Sequence, residues 1–326
     1  MSRGCYAGVC PRWLHVFPSN SPIRALLALS DKKGYAGPPT AEVRERRVRQ
    51  SMQRKTIVIT GASDGIGAAA SRALVQLGQQ VVLVGRSPEK THRLAHELGA
   101  AAFIADYSRL EDVRRLAKEL NRSYERIDVL ANNAGGIFGE RRVTSDGYEQ
   151  TLQINHLAPF LLTHLLMPTL IASEASVIAT SSDAAGLLGR IDLSDLDYAH
   201  RKYSSARAYA DAKLANIMFT VELHRRFNDQ GVRTASFHPG TVATNFAADG
   251  PRSSGLIYKN PLVRALISSP NKGASQLLKL VSGTAGSQWE SGAYFEKGKQ
   301  RKRPAQAEDV RMTQELWEES MRRVSP

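Results

Sequence analysis

A phenol and an ammonium group four residues apart occur twice in the second half of this chain. Tyr198 precedes Lys202 and Tyr209 precedes Lys213, all within "DYAHRKYSSARAYADAKLANIMF". On a helix, residues four apart stand on one face, a turn from each other. A free phenol titrates at about 10, too high for easy proton exchange at neutrality. A nearby cation favours the phenolate and lowers that value. Such a pair can hand a proton to an oxygen whose charge is changing, or take one from it. Downstream of Lys213, apolar residues at 214, 217, 218 and 221 make one helical stripe, whereas Tyr198 and Lys202 sit in a charged stretch without one. Helical context therefore selects Tyr209 and Lys213.

A second feature needs backbone rather than side chains. "TGASDGIG" (60–67) lies between the β-branched run "KTIVIT" and the helical stretch "IGAAASRALVQLG". Gly61 permits the tight turn, Gly65 lets the backbone approach a ligand, and Gly67 allows close helix–strand packing. Free N–H groups at the helix start then face an anion, which points to the pyrophosphate of a dinucleotide. At the end of the second strand, "VGRS" places Arg86 with no carboxylate before Glu89. An acid there would bind ribose hydroxyls, whereas a guanidinium suits a 2′-phosphate. An ordinary solvated arginine would look the same, but the missing acid tips the choice to NADP(H) over NAD(H).

The surrounding elements fit this placement. "QVVLVGR", "AAFIADY", "IDVLANNAG", "SVIATSS" and "VRTASFHP" alternate with amphipathic helical stretches, including a long helix around 148–172. Continuous apolar strands alternating with helices predict one α/β domain of doubly wound, Rossmann type, a parallel sheet with helices on both faces, over residues 52–300. "YFEKG" reads as the last strand. The segment 241–290 exceeds an ordinary connection and is expected to cover a ligand; its Phe246, Leu256, Ile257, Leu262, Leu266 and Ile267 favour an apolar substrate or pack the cover. Residues 301–326 read as a C-terminal amphipathic helix. Residues 1–51 lack periodicity and read as a disordered leader or sequence upstream of the true start, with Met52 opening the domain.

In this order the motifs resemble the short-chain dehydrogenase/reductase family over about residues 55–245. "TGASDGIG" is similar to its cofactor turn, "NNAG" (132–135) to the motif after its fourth strand, and Asp106 in "ADYS" to its adenine-side acid. Asn155 in "INHLAPF", "TSS" (180–182), Y-x-x-x-K and "HPG" (238–240) follow. "DLSDLDYAHRKYSSARAYADAKLANIMFTVEL" is similar to the retinol-dehydrogenase-like branch, which acts on lipophilic alcohols and carbonyls.

The resemblance implies an NADP(H)-dependent oxidoreductase interconverting an alcohol and a carbonyl, with Tyr209 as general acid in reduction and base in oxidation. It implies that Lys213 bonds the nicotinamide ribose, Ser182 the substrate oxygen (with Ser181 as strand support), and that Asn155 holds a water linking Lys213 to solvent. Gly61, Ser63, Asp64, Gly65, Ile66, Gly67, Arg86, Asp106, Asn133, Ala134, Gly135, Pro239, Gly240 and Thr244 would line the cofactor together with Tyr209 and Lys213; His238 is assigned a structural role. Tyr198 lies 16 residues after Ser182, nearer the family's usual spacing than Tyr209 at 27. The branch carries an insertion there, however, and "GRIDLSDLDYAHRKYSS" resembles it. A nucleotide-binding regulator on the same fold is the alternative, against which the full serine, tyrosine, lysine and asparagine set argues. Family members often pair through their long helices, so a homodimer is open.

Bulk composition narrows the classes. Of the net charge of +13, residues 1–52 contribute +6, nine Lys/Arg against three Asp/Glu, and the rest shows no long basic stripe with aromatics. Nucleic-acid binding is not expected, and the dense run "KGKQRKR" (297–303) reads as a solvated loop. No uninterrupted apolar run reaches the roughly 18 residues of a membrane span. Both cysteines, Cys5 and Cys10, precede the domain, which suits a reducing cytoplasm. The eight histidines show no metal-type spacing, so no metal site is expected.

Overall fold

Residues 54–240 and 270–325 are described by the computed structural model. The expectations for residues 1–51, for Thr244 and for the apolar residues between 246 and 267 lie outside them.

The first β-branched run forms β1 (Thr56–Thr60), buried along its length. Ile57 and Ile59 join one core cluster and Val58 the other, as period-2 alternation in a sheet covered on both faces demands. The strands that follow are β2 (Gln80–Gly85), β3 (Ala101–Ile104), β4 (Val129–Asn132), β5 (Ser176–Thr180), β6 (Arg233–His238), β7 (Ala293–Glu296) and β8 (Lys299–Arg301). They form one sheet in the order β3-β2-β1-β4-β5-β6-β7-β8, parallel except for β8. The α/β, doubly wound Rossmann architecture is the one that the strand–helix alternation implies. Chain order reverses between β1 and β4, which opens a crevice beyond the carboxyl ends of these strands.

Helices α1 (Gly65–Gln76) and α2 (Pro88–Leu98) cover one face, and α3 (Leu110–Ser123) and α4 (Gln150–Ala172) the other. In α3 the buried residues Leu110, Val113, Leu116, Ala117 and Leu120 recur every three or four positions and face α4. With a mean hydropathy of 1.3, α4 is long and apolar enough to cross a membrane, but most of it is buried in the core. A helix apolar all round is equally at home inside a large domain. After β5 come the short α5 (Ala184–Leu187) and the long α6 (Ser205–Phe227).

Within the segment read as a cover, residues 270–282 form helix α7 (Pro270–Ser282), whose Ala274, Leu277, Leu278 and Val281 pack into the core beside α1. Their three- and four-residue spacing is that of a sheet-covering helix. The basic run 297–303 is not a loop: it turns at Gly298 (φ +78°) and forms β8, exposed at the sheet edge.

The C-terminal stretch splits into α8 (Ala305–Glu308) and α9 (Val310–Val324), with Asp309 between them capping α9 through the N–H groups of Arg311 and Met312. Trp317 of α9 packs edge-on to Phe160 of α4, ring centres 4.9 Å apart, and stacks on Phe219 of α6 at 5.8 Å. The chain thus covers part of its own long-helix face.

Candidate active site

The glycine turn leads from β1 into α1. Gly61 (φ +65°) and Gly65 (φ +53°) take left-handed backbone, which other residues adopt only at a cost. Gly67 is held by contact instead: a Cβ there would stand 2.2 Å from the Gly61 carbonyl oxygen. Gly67→Ala is therefore expected to lose cofactor binding or soluble protein outright, readable by cofactor titration and thermal melting. Asp64 accepts from the Gly65 N–H at 2.7 Å as the cap of α1, and pairs with Lys90 at 3.3 Å. Ile66 packs half-buried against the core.

The "NNAG" segment is tied to this turn by Thr60, which the sequence reading did not single out. Its hydroxyl accepts from the N–H groups of Asn133 and Ala134, both at 3.0 Å, while the Asn133 amide donates to the Thr60 carbonyl. A Cβ on Gly61 would reach 2.9 Å from the Ala134 Cα, so the two turns nearly touch. Gly85 was also missed: a Cβ there would meet the Thr91 hydroxyl at 2.2 Å and that of Ser63 at 3.1 Å. A glycine ending a strand in "VGRS" was the available signal. Arg86 is exposed just beyond β2, and Ser87 caps α2. Asp106 accepts from the N–H and hydroxyl of Ser108, a local turn beyond β3. Pro239 and Gly240 (φ +89°) leave the end of β6.

The carboxyl ends of β4 and β5 and the first half of α6 bring the remaining residues together. Tyr209 and Lys213 are both buried on α6, with Lys213 Nζ 5.5 Å from the centre of the Tyr209 ring. Lys213 Nζ donates to the Thr180 carbonyl at 3.2 Å, and Ser181 donates to the Lys213 carbonyl at 2.7 Å. Burial pushes the Lys213 ammonium down to about 7, within the range of proton exchange near neutrality. Asn155 stands on a π-turn (Gln153–Leu157) inside α4, a distortion frequent at functional sites. Its amide donates to the Thr151 and Gly136 carbonyls and accepts from the Gly136 N–H. A Cβ on Gly135 would stand 2.4 Å from Asn155 Oδ1 and 3.0 Å from Lys213 Nζ. Glycine at 135 thus keeps one small space open between the cofactor-side turn, Asn155 and Lys213.

Ser182 follows β5; its hydroxyl donates to Asp183 at 3.1 Å and accepts from the Ala184 N–H. The other tyrosine–lysine pair is not brought together in this way. Tyr198 (φ +55°) lies in the segment before α6 and donates to Asp211 Oδ2 at 2.7 Å, while Lys202 is exposed. Burial and the Asp211 carboxylate push the Tyr198 phenol upward, away from proton exchange. Arg201 stacks 3.7 Å over its ring and also reaches Asp211, so this segment is fastened to the back of α6. Among the described residues no cluster of histidines, cysteines or carboxylates has metal-holding geometry.

Gly61, Gly67 and Gly135 are kept bare by neighbouring protein atoms, beside the crevice at the carboxyl ends of β1 and β4 where open α/β sheets bind their ligands. Comparison with known proteins agrees. The family model for short chain dehydrogenases matches residues 55–252. A protein provisionally named daunorubicin C-13 ketoreductase, from Streptomyces sp. (strain C5), is 42% identical over 272 residues, spanning 82% of this chain and 91% of its own. Human retinol dehydrogenase 13 is 34% identical over 286 residues, spanning 83% and 84%. A crystal structure of an uncharacterised protein from Mycobacterium paratuberculosis superposes with TM-score 0.67 at 31% identity, covering 84% of this chain and 96% of that one. A protein provisionally named short chain dehydrogenase, from Escherichia coli CFT073 and complexed with NADPH, gives 0.57 at 27%, covering 76% and 98%. The crevice, the order of its motifs and these likenesses agree on one conclusion: the chain belongs to the short-chain dehydrogenase/reductase family, in its retinol-dehydrogenase-like branch, and is an NAD(P)-dependent oxidoreductase.

Proposed function

We propose that this enzyme reduces a carbonyl to an alcohol, and runs the reverse, with NADP(H) and an apolar substrate. The observation that carries this reading is the buried Lys213 ammonium, 5.5 Å from the Tyr209 ring and facing Asn155 across Gly135. When bound, the nicotinamide supplies or accepts the hydride. Tyr209 gives its phenolic proton to the oxygen in reduction and takes it back in oxidation. Lys213 lowers the cost of the phenolate while charged, and its own titration near 7 lets it pass protons onward. Ser182 holds the substrate oxygen by a hydrogen bond that strengthens as negative charge develops. The names of the two relatives, a ketoreductase and a retinol dehydrogenase, support alcohol–carbonyl chemistry. Leu187 and Leu188, 77% and 50% exposed in the segment that follows Ser182, support an apolar substrate. A turnover screen of aliphatic and aromatic aldehydes and ketones with NADPH tests the reading; no turnover of any would sink it.

Arg86, exposed beyond β2 with no acid beside it, supports NADP(H). Arg86→Ala is expected to raise KM for NADPH by roughly tenfold, the worth of one charge-assisted contact, and to leave KM for NADH nearly unchanged. Equal effects on both cofactors would count against a 2′-phosphate contact.

A further inference from the structure

Ser182 has one hydroxyl hydrogen, and its neighbours decide where it goes. An ionised carboxylate can only accept, so the 3.1 Å contact between Ser182 Oγ and Asp183 Oδ1 spends that hydrogen on Asp183. The same oxygen accepts from the Ala184 N–H at 3.2 Å. A substrate carbonyl needs the hydrogen that Asp183 holds. The other carboxylate oxygen, Asp183 Oδ2, stands 3.6 Å from Nε2 of His238 at the end of β6. His238 is buried, and its Nδ1 finds no hydrogen-bond partner among the described residues. Among the described residues, the carboxylate within ion-pair distance of the imidazole is the one that also holds the serine.

We infer that Asp183 and His238 form a two-position latch on Ser182. With His238 neutral, Asp183 keeps the hydroxyl hydrogen. With His238 protonated, the carboxylate is drawn to the imidazolium and the hydrogen is released to a substrate carbonyl. Asp183 and His238 are positioning residues that act through Ser182, so the inference rests on Ser182 holding the substrate oxygen.

The groups facing His238 set where the latch turns. Burial lowers its affinity for a proton, Asp183 and Glu296 of β7 raise it, and Lys297 lowers it. Burial dominates, so protonation falls below the ordinary imidazole value of about 6.5. Release is therefore an acid-side event. Asp183 has 47% of its side chain exposed, so water screens the pair and the effect is modest.

The test follows KM and kcat for reduction of the aliphatic aldehyde turned over fastest with NADPH, from about pH 5 to about pH 8. Wild-type KM should fall on acidification through the His238 titration. Asp183→Ala should lower KM at neutral pH by roughly three- to tenfold, the range of one screened hydrogen bond, with kcat little changed and the acid-side fall gone. His238→Gln should keep the higher KM throughout. Wild-type KM in Asp183→Ala, or an intact acid-side fall in His238→Gln, would overturn the latch. An independent readout needs no turnover: the His238 ring titration followed by NMR should move to lower pH in Asp183→Asn, and an unmoved titration would also overturn it. Inactive Tyr209→Phe and Ser182→Ala variants beside a wild-type Asp183→Ala profile would sink the latch alone; an active Tyr209→Phe would sink the reading beneath it.

Discussion

Tyr209→Phe is expected to lower kcat for carbonyl reduction by about a thousandfold, the scale of a lost general acid, while NADPH binding by fluorescence titration stays nearly unchanged. The ring remains, so the packing of this buried side chain on α6 is kept and only the hydroxyl is lost. Tyr198→Phe should give the converse. Its hydroxyl is committed to Asp211, already held by the Arg190 N–H and Arg201, so the loss falls on the fold. A cost of about 1–2 kcal/mol is expected, seen as a Tm lowered by a few degrees with kcat retained. An inactive Tyr198→Phe beside an active Tyr209→Phe would transfer the chemistry to the other pair.

Lys213→Met should abolish turnover and stabilise the protein. Lys213 is 1% exposed, and burial lowers its pKa from 10.5 to about 7. The unfolded chain keeps that proton up to about 10.5, the folded chain only to about 7. Between these values the unfolded state binds more protons, so stability rises with pH across the window, and below it the penalty of burying the cation is felt in full. Methionine keeps most of the stem without the charge. Thr180, the carbonyl that Lys213 bonds, still receives the Asn216 amide at 3.2 Å, so no buried acceptor is orphaned. A gain of about 1–3 kcal/mol at pH near 6 is expected, and urea melts of wild type and variant should converge as pH rises towards 10. A variant less stable at every pH would mean that the ammonium's contacts outweigh its desolvation.

Much of this was legible because the physics is local. Ile57, Val58 and Ile59 announce a strand buried on both faces, and Gly61, Gly65 and Gly67 mark backbone that must be bare. The two tyrosines differ in what surrounds them: the stripe after Lys213 is visible in the sequence, whereas the Tyr198–Asp211 bond closes over 13 residues and is not. The same reason hid Thr60, whose partners lie 73 and 74 residues away, and the 3.6 Å approach of His238 to Asp183. Residues 270–282 carry a helical spacing that the sequence shows, whereas their packing as a wall of the sheet joins elements far apart in the chain and is not visible there. Asn155 drew a correct element and not its π-turn, which arises where its amide binds the Thr151 and Gly136 carbonyls.

The strand β8 has a bearing on how copies of this molecule meet. Among the described residues it is the last strand at one margin of the sheet, and Lys299 and Arg301 stand exposed on it, flanked by Lys297 and Lys302. An open margin of backbone donors and acceptors invites a second copy to add its own strand and lengthen the array. Two such margins laid side by side would press ammonium and guanidinium groups together within about 5 Å, a repulsion that grows as salt is diluted. The short antiparallel strand thus ends the sheet chemically as well as geometrically.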